Sequence, residues 1–272
     1  MGLLRPLNRS PPCLSLHRYR FMNLTVSHQF LPKQNSTRAS LVMDHFGIGF
    51  EQGELVIARD LELNPQDGQI VLFTGESGSG KSSLMRETAK QLRALGKNVV
   101  SLDELTWDEK ILVDLLPVPL EQALQLLSAC GLGEAHLLLR TPRELSDGQR
   151  YRFRLALALS EQPDWVMADE FTATLDRRLA RIISFNISKI AARHRIGFLL
   201  ATTHEDIVSD LSPDVQLSCR LDGTIDVING PDRETGVKKK RPTSPGTSGS
   251  PPRPSPTGRT SLGGIIEAIT SD

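Results

Sequence analysis

The stretch Gly75-Glu76-Ser77-Gly78-Ser79-Gly80-Lys81-Ser82 constrains this chain more than any other. It fits the pattern G-x-x-x-x-G-K-[ST], and its flanks are of the right kind. The apolar run Gln69 to Thr74 reads as a buried strand leading in, and Ser83 to Leu92 reads as a helix leading out. A triphosphate carries several negative charges, so holding it requires many donors at once. Glycines let the backbone curl until consecutive N–H groups point inward, and the start of the helix adds its positive end. Lys81 has the reach for the β- and γ-phosphates, and the Ser82 hydroxyl suits a magnesium ion. A chance Gly/Ser-rich turn would lack this strand and helix.

Composition narrows the class. A chain of 272 residues with 32 basic and 32 acidic side chains holds one or two domains and has no net charge to draw it to nucleic acid or membrane. The three cysteines, Cys13, Cys130 and Cys219, are scattered and odd in number, which points to a reducing compartment, the cytoplasm, and to no cysteine metal site. The longest apolar runs, such as Ile196 to Thr203, fall far short of the ~20 residues that span a bilayer, so membrane insertion is not expected.

Along the chain, residues 1–43 carry Arg5, Arg9, Arg18, Arg20, Lys33 and Arg38 and no acid. That is also the composition of an organelle transit peptide. The reading preferred here is a disordered leader, or a start at Met22 or Met43. Order is expected from residue 44. Glu54–Ala58 and Leu61–Leu63 read as two short strands joined by a turn, a small antiparallel unit beside the main sheet. Either Phe46 or Phe50 is placed to stack on a base, with Phe50 preferred. Asn98–Leu102 is a strand followed by Asp103-Glu104, and residues 106–142 read as mostly helical. Ser146 is a good helix cap, with Tyr151, Leu155 and Leu159 on one face beyond it. Asp164–Ala168 is a buried strand ending in Asp169-Glu170, and a helix near Arg178–Arg195 precedes the strand Ile196–Thr203 and His204. Two strands around the turn Asp222-Gly223 close the ordered part at about residue 228. Residues 229–272 read as a disordered tail, with seven prolines between Pro231 and Thr260 and the basic run Lys238–Arg241.

Five motifs stand in one order: the phosphate loop, Leu145-Ser146-Asp147-Gly148-Gln149, the strand ending in Asp169-Glu170, Thr174-Leu175-Asp176, and His204 after a strand. In this the segment 44–228 resembles an ATP-binding cassette (ABC) ATPase, with Leu145–Leu159 and Asp169–Asp176 most like a soluble subgroup whose relatives sometimes carry an acetyltransferase domain. The resemblance implies an α/β fold of the P-loop NTPase type. It should have a mainly parallel sheet flanked by helices, a small N-terminal antiparallel β-unit and a shortened helical subdomain. It implies ATP and Mg²⁺, and ATP contacts from Gly75, Glu76, Ser77, Gly78, Ser79, Gly80, Lys81, Ser82 and Ser83. Ser82 and Asp169 would hold the metal, Glu170 the attacking water, and His204 the γ-phosphate. Ser146, Gly148, Gln149 and Asp176 would meet the ATP held by a second copy, giving an ATP-dependent two-fold homodimer.

Three positions depart from the family pattern. Asp147 replaces the first glycine of the signature; it suits a helix start but would repel a γ-phosphate, so it should point away. Phe171 replaces a proline after Glu170. No glutamine follows the strand 98–102, where Asp103 and Glu104 stand instead. Lys81 and Ser146 are also only 65 positions apart (146 − 81), shorter than transporter cassettes usually have. The expectation is therefore a soluble ABC-type ATPase acting on an unknown effector protein. A transporter's nucleotide-binding subunit is the alternative, predicting a docking groove within residues 103–142. A nucleic-acid-associated ATPase has only the basic run in its favour and no room for coiled-coil arms. An ATP-sensing module with little turnover would explain the departures.

Overall fold

The computed structural model describes residues 22–29, 31, 34, 36–48 and 54–230. In chain order these form β1 (Met22–Gln29), α1 (Thr37–Phe46), β2 (Glu54–Leu63), β3 (Ile70–Gly75), α2 (Lys81–Ala94), β4 (Val99–Ser101), α3 (Leu112–Leu115) and α4 (Leu120–Ala129). They continue with α5 (Ala135–Leu138), α6 (Asp147–Ser160), β5 (Trp165–Ala168), α7 (Arg177–His194), β6 (Gly197–Thr202), α8 (Val208–Leu211), β7 (Val215–Cys219) and β8 (Ile225–Asn229).

Six strands build the main sheet in the order β4-β5-β6-β3-β7-β8. All neighbours run parallel except β7 and β8, the hairpin expected around Asp222-Gly223. Successive strand side chains point to opposite faces, and here each face has its own core. Ile70, Leu72, Val166, Ala168, Phe198 and Leu200 pack with helices α3 to α8 on one side. Val71, Phe73, Trp165, Met167, Leu199 and Ala201 pack with α2 and the β1–β2 unit on the other. That two-sided burial explains why these strands read as unbroken apolar runs. Long helices follow the same logic. α7 buries Ala180, Ile183, Ser184, Ile187 and Ala191, one stripe at helical spacing.

The N-terminal part corrects the sequence reading. β1 and α1 fall largely within residues expected to be a structureless leader. β1 pairs antiparallel with β2 from Met22–Leu63 to Gln29–Glu54. Its Met22, Leu24 and Val26 are buried at period two, an apolar face short enough to be missed in Arg-rich surroundings. α1 starts at Ser36, whose hydroxyl accepts from Ala39 N. Residues 54–63 are also one strand rather than two. The expected turn is an irregularity in the β1–β2 register, with Asp60 at φ +52°. Residues 106–142 hold three helices, two of them a single turn, in place of a mostly helical stretch. Phe46 ends α1 and is 71% exposed. Phe50 and the tail from residue 231 lie outside the described residues.

Candidate functional site

β3 lies where the crossovers change sides, with β6 on one flank and β7 on the other. An open α/β sheet leaves a crevice at the C-terminal ends of strands at such a point. The phosphate loop occupies it. Gly75 has φ +134°, and a Cβ there would lie 2.0 Å from the Cys219 carbonyl oxygen. Gly80 has φ +90°, and a Cβ there would lie 2.4 Å from Ile57 Cγ2 of β2. Both positions therefore exclude a side chain on space as well as on conformation. No side chain caps α2, so the N–H groups of its first turn are left to whatever fills the loop.

Lys81 is buried and its Nζ donates to the Glu76 carbonyl at 2.5 Å, across the mouth of the loop. Burial lowers the pKa of its ammonium, opposed by Asp169 and Glu170 among others. Ser82 Oγ donates to Asp169 Oδ1 at 2.9 Å. These two oxygens are the donor pair a magnesium ion favours, so the residues present fit the metal the loop implies. Bound there, the ion would neutralise charge on the phosphates being separated. Arg86 Nη2 sits 3.1 Å from Asp169 Oδ2 and balances that carboxylate.

Glu170 departs from the geometry its position in the sequence implies. A strand would turn it to the face opposite Asp169, but β5 ends at Ala168 and Glu170 has φ +48°. Thr172 is also left-handed, at φ +67°. A non-glycine residue there costs of order 1–3 kcal/mol, so the loop must be held from outside. Phe171 N donates to Ala201 O at 2.7 Å, Ala173 N to Glu170 O at 2.9 Å, and the fully buried Phe171 ring packs near Tyr151. Phe171 thus anchors the loop as a core residue where a proline would have stiffened it. Glu170 N donates to Asp169 Oδ1 at 3.0 Å, which sets the two carboxylates in order along the cleft.

The result is a cleft of about 460 Å³ lined by Ser77, Gly78, Gly80, Lys81, Ser82, Ser83, Asp169 and Glu170. His28, Ile57, Ala173, Ala201, Thr202 and Thr203 complete its walls. Sequence reasoning missed these six. Thr202 and Thr203 were findable as polar residues ending a buried strand; His28 carried no signal at all. Gly75, Glu76 and Ser79 belong to the loop behind the lining. His204 follows β6, with its N–H on Thr202 Oγ1 at 3.1 Å, but it does not line the cleft. Asp103 and Glu104 line a smaller hollow of about 290 Å³ that meets the cleft only through Asp169. Burial raises the Asp103 pKa, Asp169 adds to this, and Arg154 and Arg86 oppose it.

Ser146, Gly148, Gln149 and Asp176 lie apart from this cleft. Ser146 caps α6 by accepting from Gln149 N, and Gln149 Oε1 returns a bond from Ser146 N at 3.0 Å. Asp147, exposed in the first turn, pairs with Arg150 at 3.0 Å. Gly148 approaches the Thr174 carbonyl, and Asp176 caps α7 by accepting from Leu179 N. One chain therefore holds the phosphate loop and the signature as two separate surfaces.

Residues 58–173 match the profile of the family described as ABC transporter. The lipoprotein-releasing system ATP-binding protein LolD of Pseudomonas syringae pv. tomato is 31% identical over 205 residues, covering 61% of this chain and 89% of that protein. This chain belongs to the ABC ATPases. It hydrolyses ATP and works with ATP and Mg²⁺, as that family does. The maltose/maltodextrin import ATP-binding protein MalK of Yersinia pestis is also 31% identical, over 57% of this chain and 49% of its own length. Among solved structures, a dimeric post-hydrolysis state of the ATP-binding cassette MJ0796 bound to ADP and Pi superposes with a TM-score of 0.55. Its identity is 16%, covering 77% of this ABC ATPase and 97% of that chain. A nucleotide-free cassette from an ABC transporter gives 0.52 at 18% identity, over 76% and 92%. At such identities these two show the fold: a sheet flanked by helices with a small antiparallel unit.

Proposed function

We propose that this ABC ATPase is the ATP-hydrolysing subunit of a transport assembly, working at the cytoplasmic side of a membrane and closing in pairs on ATP. The observation that carries this reading is the match to LolD, named for a lipoprotein-releasing system, over nearly that protein's whole length. MalK, named for maltose import, points the same way. Two surfaces of the chain are consistent with it. The signature head of α6 lies apart from the chain's own phosphate loop, as it must if it serves a second copy. Leu120 and Leu124 of α4, one helical turn apart, and Leu139 are exposed within the segment where a docking site was expected. No helix among the described residues is long and apolar enough to cross a membrane, so another polypeptide would supply the passage.

In this reading Lys81 and the loop N–H groups hold the phosphates, and Ser82 and Asp169 hold the metal. Glu170 orients and deprotonates the attacking water, and His204 turns to the γ-phosphate once the dimer closes. Ser146 and Gly148 present the head of α6 to the γ-phosphate bound by the partner copy. The Glu170→Gln protein, held with ATP, should form a two-fold dimer by light scattering and co-purify in detergent with an integral membrane protein.

A second reading is favoured by one feature. Asp103 and Glu104 stand where a glutamine is usual, in a segment shorter than transporter cassettes have. This fits a soluble ABC-type ATPase acting on a soluble effector, of the subgroup sometimes fused to an acetyltransferase domain. Capture of a soluble protein alone by the same ATP-held dimer would move the assignment to this reading.

A further inference from the structure

α7 is a basic helix. From Arg177 to Arg195 the sequence holds no acidic residue, while Arg178, Arg181, Lys189 and Arg193 stand between them. One side of the helix is buried, at Ala180, Ile183, Ser184, Ile187 and Ala191. On the opposite side, at about 100° per residue, Arg178, Ile182, Phe185, Lys189 and Ala192 fall within about 80° of one another. None of the five is buried. Ile182 and Phe185 are each about half exposed, and Lys189 Nζ lies 4.5 Å from the centre of the Phe185 ring. The steps along this row alternate between four and three residues. That is the spacing at which one helix seats its side chains along another.

Charge selects the occupant. Arg177 and Arg181, on the flank of the row, are already paired with Asp206 and Asp210. Arg178 and Arg193 have no such partner among the described residues, so the row itself keeps its positive charge. A second copy does not fit. Two-fold antiparallel pairing centred between Ile182 and Phe185 would set Arg178 of each copy against Lys189 of the other, like against like. A flat anionic bilayer fits poorly as well, because it would also press on the carboxylates of Asp206 and Asp210 beside the row. We propose that this face of α7 is a docking seam for an acidic amphipathic helix of a partner protein. Apolar side chains of that helix cover Ile182, Phe185 and Ala192, and its carboxylates meet Arg178, Lys189 and Arg193. The seam is ~21 Å long at 1.5 Å per residue, about four turns. No residue of α7 lines the nucleotide cleft, so the seam serves either assembly named above.

The test is photo-crosslinking of the full chain in its own cells, with Phe185→p-benzoylphenylalanine as the probe and mass spectrometry of the linked peptide. The linked segment should belong to another protein and carry apolar residues at alternating three- and four-residue spacing, flanked by Asp or Glu. Adding Lys189→Glu, which sets a like charge against that segment, should cut the yield at least about ten-fold while ATP turnover of the purified chain stays the same. Adding Leu120→Asp, on the exposed face of α4, should leave the yield unchanged. Linkage to phospholipid, to a second copy of this chain or to a segment without carboxylates overturns the proposal. So does the absence of any linkage, or a yield indifferent to Lys189→Glu. An equal loss with Leu120→Asp overturns it too, by moving the contact to α4.

Discussion

The heads of α2 and α6 are both helix N-termini with a glycine beside them, and they are finished in opposite ways. α2 opens at Gly80 with no side-chain cap, next to a loop whose Gly75, Gly78 and Gly80 all take positive φ. α6 opens at Ser146 with a complete capping box closed by Gln149, and with Asp147 in its first turn paired to Arg150. The first helix needs an anion to complete it. The second is already satisfied as a monomer, and a ligand arriving there must compete with the helix's own side chains. The difference teaches which helix start this chain leaves open to an anion and which it closes with its own side chains; in the proposed dimer the second would meet the partner copy's nucleotide.

Removing the loop's cation should give the largest effect. Lys81→Ala is expected to lower ATP turnover by about 10²-fold or more, in monomer and dimer alike. Turnover measured over an ATP titration checks this, and a variant still active at the normal rate would break the first half of the comparison. Glu170→Gln comes next, with hydrolysis slowed by about 10²–10⁴-fold while nucleotide binding persists and ATP-held dimers accumulate. Rapid-quench turnover alongside light scattering separates the two readouts.

The signature side should respond only in assembly. Asp147→Asn in the Glu170→Gln background should tighten the ATP-held dimer about five-fold, the scale of removing one exposed like charge near the γ-phosphate. Sedimentation at two salt concentrations checks it, because screening should erase the gain. Ser146→Ala removes the cap and should cost the monomer about 1 kcal/mol, a fall in Tm of about 2–4 °C. ATP binding by that monomer should be untouched, and a loss of it would blur the distinction drawn between the two helices.

Asp103→Asn should have the smallest effect. Burial, then Asp169, holds the Asp103 carboxyl above its ordinary pKa. Folding therefore favours its protonated form, and its charge costs stability at neutral pH. The variant should melt slightly higher at pH 7, by about 1–2 °C at most, since solvent screens much of the interaction. That advantage should shrink as pH falls through the raised pKa and the native carboxyl takes up its proton. Melting curves across that range, with no narrowing toward low pH, would count against the electrostatic cause.

Much of this molecule was legible beforehand where local pattern carries the structure. The strand–loop–helix around Gly75–Ser82 stands where expected, as do the cap at Ser146, the amphipathic stripe of α7 and the hairpin at Asp222-Gly223. The misses share a cause. The Arg-rich surroundings of residues 22–29 hide an apolar face of only three side chains, and its meaning depends on β2 and α2, which lie far along the chain. The direction of Glu170 could not follow from strand alternation, because Phe171 and Ala201 hold the chain in a left-handed turn just there.

By itself, then, the sequence determined which backbone would cradle phosphate, and which side chains would stand beside it in order along the chain. Glycine spacing, apolar period and capping chemistry act within a few residues, so they can be read in one dimension. Tertiary structure alone decided that β1 ends in the cleft with His28 against Ser83, 55 positions away. It alone decided that Glu170 leaves the line of its strand, where Phe171 N reaches Ala201 O from 30 positions away. Those outcomes depend on which distant side chains share a buried face or a hydrogen bond, and burial brings such groups together without leaving a local mark.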